Sequence, residues 1–334
     1  MKFDIAIIGG GAAGVMSLNR AYLNNDSCIF FAGTAKHKKR SRALWVKKVE
    51  NVPSLLSYSR GVDQPNKEMI DWIKNKNSEK IVLKLGHGVD HLKWLEEEKI
   101  FELIDSKGET YHARFVVLAT GIMDVQPSIA GSIIPILPHA NQQTVDYCLR
   151  CDGHHAKEKK TGVVGNTKAA AWVAIMLYER YTPPEMTIFT NGGSVEWSET
   201  EQVLLDLYKI KIEKGNIQSV VESIEKKLIG LSVFDPNKSD KWILSIDILF
   251  VSLGVIVYNE LAKEIGVNLD STGYVITDEN GQSSFSGLYA VGDLRAGKKK
   301  QIYTAWDTAV DSLDRINLLL RLEKREALLQ IKNK

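Results

Sequence analysis

The amino-terminal part of the chain combines two apolar runs with a glycine-rich turn. Phe3–Ile8 is apolar at nearly every position and predicts a buried β-strand, and Ser27–Ala32 predicts a second one. Between them lie the turn Gly9–Gly14 and the segment Val15–Asn24, which has helical spacing. This order predicts a βαβ unit for a dinucleotide, because glycines permit the tight turn and a close approach of the backbone to a pyrophosphate.

A similar order of elements recurs in the middle of the chain. The strand-like run Thr161–Val164 precedes the turn Gly165–Ala170, a helical segment ends near Tyr181, and Met186–Thr190 predicts another strand. A further apolar run, Ile246–Val251, follows later. The pattern predicts an α/β protein with two Rossmann-like, three-layer dinucleotide-binding domains, the second inserted into the first.

Composition and charge narrow the classes of function. The chain has 334 residues, 44% of them hydrophobic, which is enough for two domains with buried cores. Its formal net charge is only +2, so a general nucleic-acid-binding role is not expected. The longest apolar runs are much shorter than a bilayer span, and no basic leader precedes the first strand. We therefore expect a cytoplasmic protein that binds neither nucleic acid nor a membrane.

Two of the three cysteines lie close together beside an acid. Cys148 and Cys151 form a Cys-x-x-Cys sequence that runs into Asp152 and supplies the groups needed for dithiol–disulfide exchange. Two alternatives to this redox role are a buried structural cysteine pair and a small metal site shared with His154 and His155. One cysteine pair provides only two zinc ligands, so no metal is predicted. The histidines either tune the thiolate charge or are exposed loop residues, and the third cysteine is interpreted as a packing residue.

Six motifs follow one another in an order typical of low-molecular-weight thioredoxin reductases, and the chain resembles that family over nearly its whole length. The motifs are Gly9–Gly14, Val49–Pro53, Ala119–Gly121, Tyr147–Gly153, Val291–Asp293, and Gln301 with Ala305. The cysteine motif is the specific one. The resemblance implies a homodimer with a FAD-binding domain formed by residues 1–116 and 247–334. An inserted NAD(P)-like domain, residues 117–246, would carry the cysteine pair.

The resemblance also implies roles for individual residues. Cys151 would face the flavin, Cys148 would attack the disulfide of a thioredoxin-like dithiol protein, and Asp152 would act as general acid or base for the leaving thiolate. Asp293 would approach the ribityl chain of FAD, and Gln301 its isoalloxazine ring. The full set of implied FAD-binding residues is Gly9, Gly11, Ala12, Ala13, Gly14, Asn51, Ala119, Thr120, Gly121, Gly292, Asp293, Gln301 and Ile302.

The second glycine turn departs from the family pattern. It reads Gly165-Asn-Thr-Lys-Ala-Ala170, so Thr167 stands where the backbone would have to approach a pyrophosphate. Thr190–Gly193 replaces the His-Arg-Arg sequence with which relatives bind the 2′-phosphate of NADPH. Together these losses predict a FAD-dependent disulfide oxidoreductase that does not use NADPH.

Two other electron sources would replace NADPH. The basic run Arg295–Lys300 would steer an acidic carrier such as ferredoxin. Alternatively, Trp172, Tyr178 and Tyr181 on one helix would stack on a second FAD, unless they simply pack within the domain. Two alternatives to the predicted enzyme remain. One is an NADPH-dependent reductase with an unfamiliar second site, and the other is a non-catalytic flavin-binding redox sensor.

Overall fold

The computed structural model describes residues 2–34, 42–236, 239–297 and 299–332. The strands are β1 (Lys2–Ile8), β2 (Cys28–Phe31), β3 (Ile81–Lys84), β4 (Val89–Leu95), β5 (Ile100–Asp105), β6 (Thr110–Leu118), β7 (Ile122–Asp124), β8 (Val145–Asp146), β9 (Thr161–Val164), β10 (Met186–Phe189), β11 (Lys211–Glu213), β12 (Asn216–Glu222), β13 (Leu228–Asp235), β14 (Asp240–Ser245), β15 (Ile248–Val251), β16 (Val255–Val257) and β17 (Leu288–Ala290). The α-helices are α1 (Ala12–Leu23), α2 (Arg42–Trp45), α3 (Asp63–Lys74), α4 (Leu137–Ala140), α5 (Leu149–Asp152), α6 (Lys168–Tyr181), α7 (Glu199–Leu207), α8 (Glu260–Ile265) and α9 (Ile302–Lys332).

The chain divides into two compact units, and each combines segments that are distant in sequence. The first comprises Met1–Leu44, Val62–Met123 and Val257–Lys334, and the second comprises Trp45–Gly61 and Asp124–Ile256. The second unit therefore interrupts the first, as the order of sequence patterns predicts.

The first unit is a three-layer fold around a mixed sheet. The parallel part of the sheet has the order β3, β2, β1 and β6, and β17 pairs with β6 in parallel. Strand β5 also pairs with β6 but is antiparallel to it, and β4 is antiparallel to β5. Successive residues of β1 face opposite sides, so Ile5 and Ile7 pack with α1 and α9 while Ala6 and Ile8 join the core on the other side. Cys28 in β2 is fully buried, as expected of a packing residue.

The second unit is also a three-layer α/β fold. Its central sheet has the parallel order β11, β10, β9, β15 and β8. Helix α6 covers one face through Ala171, Ala174 and Ile175, and the antiparallel sheet β12–β13–β14 covers the other. Strand β8 leads directly to the cysteine pair.

The edges of the units differ from the predicted domain boundaries after residues 116 and 246. Strand β6 continues to Leu118 in the sheet of the first unit. Strand β15 pairs with β8 and β9, so it belongs to the second unit rather than the first. Segment 45–61 also belongs to the second unit, although both its chain neighbours lie in the first. Apolar runs identify strands, but the partner of a strand depends on residues far away in the chain.

Helix α9 continues well beyond its buried part. Its buried residues end at Leu320, and every described residue from 321 to 332 is exposed, including Leu328. No helix in the described part of the chain has the length and apolar composition needed to cross a membrane.

Candidate functional site

The first glycine turn, between β1 and α1, has three glycines that packing requires, Gly9, Gly10 and Gly14, and one that it does not, Gly11. Gly9 has a φ of +126°, and a Cβ there would lie 2.2 Å from the carbonyl oxygen of Ala119. A Cβ on Gly14 would lie 1.8 Å from the carbonyl oxygen of Gly9, so the close approach of helix and strand excludes a side chain. At Gly11, no atom of the described residues lies within 4 Å of the Cβ position. Among the described residues, the space opposite Gly11 is therefore unfilled.

Helix α1 begins at this open space. Gly11 is its N-cap, no described side chain caps it, and the first turn contains no acidic residue. The N–H groups of the first turn, at Ala12 and Ala13 among others, thus lie at the positive end of the helix dipole. An anion such as the pyrophosphate of FAD fits these groups and this space.

Gly292 brings a second segment to the same turn. It has a φ of +65°, and a Cβ there would lie 2.7 Å from the Cβ of Ala13. Its N–H donates to Thr308 Oγ1 at 3.0 Å, which fastens the 3₁₀ turn containing Asp293 to α9. Two of the predicted FAD residues thereby lie beside the first turn.

The start of α9 holds the next pair of predicted residues. Gln301 is 9% exposed, its carbonyl accepts the N–H of Ala305 at 2.9 Å, and Ile302 begins the helix. Lys300 precedes them and donates to the carbonyl of Asp293 at 3.1 Å. The loop before α9 is therefore tied to the 3₁₀ turn.

The remaining predicted FAD residues fall in two places. Ala119, Thr120 and Gly121 follow β6, where Thr120 Oγ1 donates to the carbonyl of Tyr258 at 2.6 Å. Asn51 lies instead in segment 45–61 of the second unit. The structure thus gathers most of this set in the first unit and leaves Asn51 outside it.

The cysteine pair forms a disulfide at the start of a short helix. Cys148 and Cys151 are joined with their Cα atoms 5.3 Å apart, and both residues are partly exposed. Cys148 is the N-cap of α5, and its sulfur accepts the N–H of Cys151 at 3.1 Å. If this N–H keeps its position after reduction, it would favour the thiolate of Cys148, because a hydrogen bond to sulfur stabilises a thiolate more than a thiol.

A carboxylate–histidine cluster adjoins the cysteines. Asp152 is buried, and its carboxylate lies within 4.8 Å of the ligand atoms of Asp146 and His155. His155 Nδ1 lies 2.9 Å from Asp146 Oδ2, and its Nε2 lies 3.0 Å from Glu50 Oε2. His154 Nε2 is 2.7 Å from the same Glu50 oxygen. Sequence reasoning gave neither Glu50 nor Asp146 a role in this cluster, because Glu50 entered only as part of the Val49–Pro53 motif and Asp146 belongs to no motif.

The titration of this cluster is set by burial and by its own ion pairs. Burial raises the pKa of the Asp146 carboxyl. Burial alone would lower the pKa of His155, but the carboxylates of Asp146 and Glu50 outweigh it and raise that pKa. The Lys48 ammonium, followed by the two histidines, holds the pKa of Glu50 well below its usual range.

The second glycine turn, between β9 and α6, keeps only its first glycine. Gly165 has a φ of +156°, and a Cβ there would lie 2.4 Å from the carbonyl oxygen of Ser252. Thr167 occupies the position that corresponds to the open Gly11, and Ala170 occupies the last position of the turn. The turn therefore keeps the first glycine of the Gly-x-Gly-x-x-Gly pattern and has other residues at the second and third glycine positions.

The chain itself covers this second turn. Thr167 forms an isolated parallel β-bridge with Glu196. The N–H of Glu196 donates to the carbonyl of Asn166 at 2.8 Å, and Asn166 Nδ2 donates to the carbonyl of Ser194 at 2.8 Å. Segment 191–197 is thus hydrogen-bonded to this turn through Ser194 and Glu196.

A buried acid anchors the end of that segment. Glu201 is 1% exposed and accepts hydrogen bonds from Trp172 Nε1 at 3.0 Å and from the N–H of Ser198 at 2.9 Å. It also forms an ion pair with Lys168 at 3.2 Å. The hydrogen bond from the Ser198 hydroxyl, with these other contacts, lowers the pKa of Glu201 to about 2. Trp172 is part of this anchor.

The residues considered for the alternative electron sources mostly have partners within the protein. Tyr178 stacks on Tyr208 with ring centroids 5.0 Å apart. Arg295 donates to the carbonyl of Asp278 at 2.6 Å, and Lys300 is half-buried, with a pKa that burial lowers. Lys299 is exposed. Lys298 lies outside the described residues.

Known proteins resemble this chain over most of its length. Residues 3–312 match the family described as pyridine nucleotide-disulphide oxidoreductase. A thioredoxin reductase of Listeria monocytogenes is 27% identical over 309 residues, which are 91% of this chain and 89% of that protein. One of Treponema pallidum is 23% identical over 304 residues, or 91% and 92% of the two chains.

Solved structures give the fold. The crystal structure of thioredoxin reductase from Streptococcus pyogenes has a TM-score of 0.81 and 19% identity, and the match covers 96% of this chain and 98% of that one. The likeness confirms the predicted α/β fold with two Rossmann-like dinucleotide-binding domains, and the relatives confirm the resemblance to low-molecular-weight thioredoxin reductases. The chain therefore belongs to the pyridine nucleotide-disulphide oxidoreductase family, as a flavin-dependent disulfide oxidoreductase.

Proposed function

We propose that this enzyme exchanges electrons between FAD, the Cys148–Cys151 pair and a thioredoxin-like dithiol protein, and that it does not use NADPH. Relatives named thioredoxin reductase support the class of partner. The contrast between the two glycine turns carries the proposal. In the first, no described atom lies within 4 Å of the Cβ position of Gly11, whereas segment 191–197 is hydrogen-bonded to the second.

Binding of NADPH at the second turn would have to displace that segment. The bridge between Thr167 and Glu196, which includes the hydrogen bond from the Glu196 N–H to the Asn166 carbonyl, would break, together with the hydrogen bond from Asn166 Nδ2 to the Ser194 carbonyl. Each such hydrogen bond contributes about 0.5–1.5 kcal/mol. Even then, Thr167 would stand in the path of the pyrophosphate, and Asn191 would stand near the end of β10, where relatives place the arginines that bind phosphate.

The cysteine pair would carry out the exchange with the protein partner. The Cys148 thiolate attacks one sulfur of the partner disulfide, a mixed disulfide forms, and the second partner sulfur leaves as a thiolate that takes a proton from Asp152. The Cys151 thiolate then attacks the Cys148 sulfur, restores the internal disulfide and releases the partner as a dithiol once water protonates its sulfur. FAD, when bound, supplies or accepts the electron pair that the internal disulfide takes up or gives.

The covered second turn leaves two candidate electron sources. Exposed Lys299 supports an acidic protein donor such as ferredoxin, although Arg295 and Lys300 are engaged by backbone carbonyls. A second FAD is the other source, but Tyr178 and Trp172 already have partners in the second unit. Counting the flavins released per chain on denaturation separates them, because two favour a second FAD and one favours a protein donor.

The assembly and the location rest on the resemblance. We propose a homodimer in the cytoplasm, with the exposed end of α9, residues 321–332, as a candidate contact between the two copies.

Anaerobic mixing with NADPH tests the proposal. The FAD-loaded protein is mixed with excess NADPH while the flavin absorbance is followed, and dithionite serves as the positive control. We expect dithionite to bleach the flavin and NADPH to leave it oxidised. Rapid bleaching by NADPH would reject the proposal and favour a reductase with an unfamiliar second site.

A further inference from the structure

Three side chains to which the proposed dithiol exchange assigns no step converge near the cysteine pair. The ligand atoms of Glu50, His154 and His155 all lie within 4.8 Å of one another. Glu50 Oε2 lies 2.7 Å from His154 Nε2 and 3.0 Å from His155 Nε2. Glu50 is 104 residues from His154 in the chain, so the fold and not a local turn brings them together. All three residues belong to the second unit.

Neighbouring residues orient His155 and Glu50. Asp146, which is buried, lies 2.9 Å from the Nδ1 atom of His155 and so leaves its Nε2 atom directed at Glu50. The second oxygen of Glu50 is held by Lys48 at 2.7 Å and by Gln143 at 3.3 Å. Metal-binding histidines usually have a carboxylate or carbonyl on the other ring nitrogen, and metal-binding carboxylates have comparable partners.

The kinds of ligand atom select the class of ion. Two imidazole nitrogens and one carboxylate oxygen suit zinc and similar transition ions, whereas calcium and magnesium prefer oxygen ligands. The cluster borders a cavity of about 990 Å³ that Lys159 and Asp247 also line, and the side chain of His154 is 50% exposed. A fourth coordination position would therefore be open to water or to a small ligand.

We propose that Glu50, His154 and His155 bind a divalent transition ion of the zinc type, with a fourth position open to the cavity. Binding replaces any proton on the two Nε2 atoms, and these protons pass to solvent. The ion would fasten segment 45–61 to the turn that follows Cys151. The cysteines supply no ligand, so this site differs from the cysteine–histidine site that the sequence disfavours. It also does not depend on which donor reduces the flavin.

Zinc binding to the FAD-loaded full chain tests the site. Oxidised protein is freed of metal, titrated with ZnCl₂ against a colorimetric chelator, and analysed for bound zinc. The Cys148→Ser/Cys151→Ser double variant removes the thiols, which bind zinc when reduced. His154→Ala removes an exposed ligand with little risk to folding, and Glu50→Gln removes the ligand of the other segment. His91→Ala, which changes an exposed histidine paired with Glu264 in the first unit, is the matched control.

We expect one zinc ion per chain in the wild type, the double cysteine variant and His91→Ala, and loss of that ion in His154→Ala and Glu50→Gln. Asp146→Asn should weaken binding about 10- to 100-fold, because Asp146 orients a ligand without being one. Three results would overturn the proposal. They are no zinc bound by the wild type, zinc binding by His154→Ala and Glu50→Gln as strong as that of the wild type, or loss of zinc binding in the double cysteine variant. None of these results bears on reduction by NADPH.

Discussion

Substitution of single glycines in the first turn separates cofactor binding from folding. Gly11→Ala places a methyl group in space that no described atom occupies within 4 Å. Gly14→Ala places one 1.8 Å from the carbonyl oxygen of Gly9 and 3.3 Å from the Cβ of Ala119. Both changes add the same group to the same turn, but only the second collides with the protein itself.

The expected magnitudes follow from these distances. At Gly11 the φ of −81° is allowed for alanine, so strain is absent. Alanine is a poorer N-cap than glycine, which destabilises the fold by about 0.5–1 kcal/mol. Alanine also lowers the entropy of the unfolded chain, which stabilises the fold by about 0.5–1 kcal/mol. Because the two effects oppose each other, the unfolding free energy of the apoprotein should change by less than about 1 kcal/mol. A methyl group in the path of the pyrophosphate costs about 1–3 kcal/mol by overpacking, or about 5- to 140-fold in FAD affinity. Gly14→Ala should destabilise the apoprotein by about 1–3 kcal/mol or more.

Two assays on the flavin-free protein measure these quantities. Urea unfolding gives the stability of each variant, and quenching of flavin fluorescence during titration gives its affinity for FAD. We expect Gly11→Ala to retain stability and lose affinity, and Gly14→Ala to lose both. If Gly11→Ala bound FAD as tightly as the wild type, the open space at this turn would not hold the pyrophosphate.

Three further predictions concern the cysteines, the acid beside them and the second turn. Cys148→Ser and Cys151→Ser should each abolish turnover with thioredoxin while Cys28→Ala remains active; turnover by either serine variant would point to a sensor or to other chemistry. Asp152→Asn should slow dithiol exchange about 10²- to 10⁴-fold at neutral pH in a stopped-flow assay, and an unchanged rate would assign the proton to water. The pKa of Glu201 is about 2 in the folded protein against an ordinary 4.5. The ionised carboxylate therefore stabilises the folded state fully above pH 4.5, and this contribution is lost as the pH falls toward 2. Acid unfolding of the wild type and Glu201→Gln should therefore converge across that window, and a constant difference would contradict the role of its carboxylate.

The sequence predicts those parts of the protein that depend on neighbouring residues. The Gly9–Gly14 turn follows a strand and opens a helix, so its backbone is set locally. The Cys148–Cys151 spacing likewise fixes a pair close enough to form a disulfide. The proposed loss of the second phosphate site can be inferred from Thr167, because a single side chain there replaces the glycine of the pattern.

The parts that sequence reasoning did not predict depend on contacts between distant segments. Glu50 was interpreted only through the Val49–Pro53 motif, and its pairing with His154 needs segment 45–61 to join the second unit. The contact of segment 191–197 with the second turn depends on a β-bridge between Thr167 and Glu196, which no local sequence pattern indicates. Strand β15 has the apolar composition of any buried strand, so its sheet could not be chosen from sequence.

Anaerobic reductive titration tests the central claim, that the Cys148–Cys151 disulfide and the flavin share electrons in one enzyme. Dithionite is added in steps to FAD-loaded wild type and to Cys148→Ser while the flavin absorbance is recorded. The account predicts that the wild type takes up one more electron pair per chain than the variant before its flavin is fully bleached. Equal uptake by the two proteins would show that the disulfide does not exchange electrons with the flavin and would contradict the account.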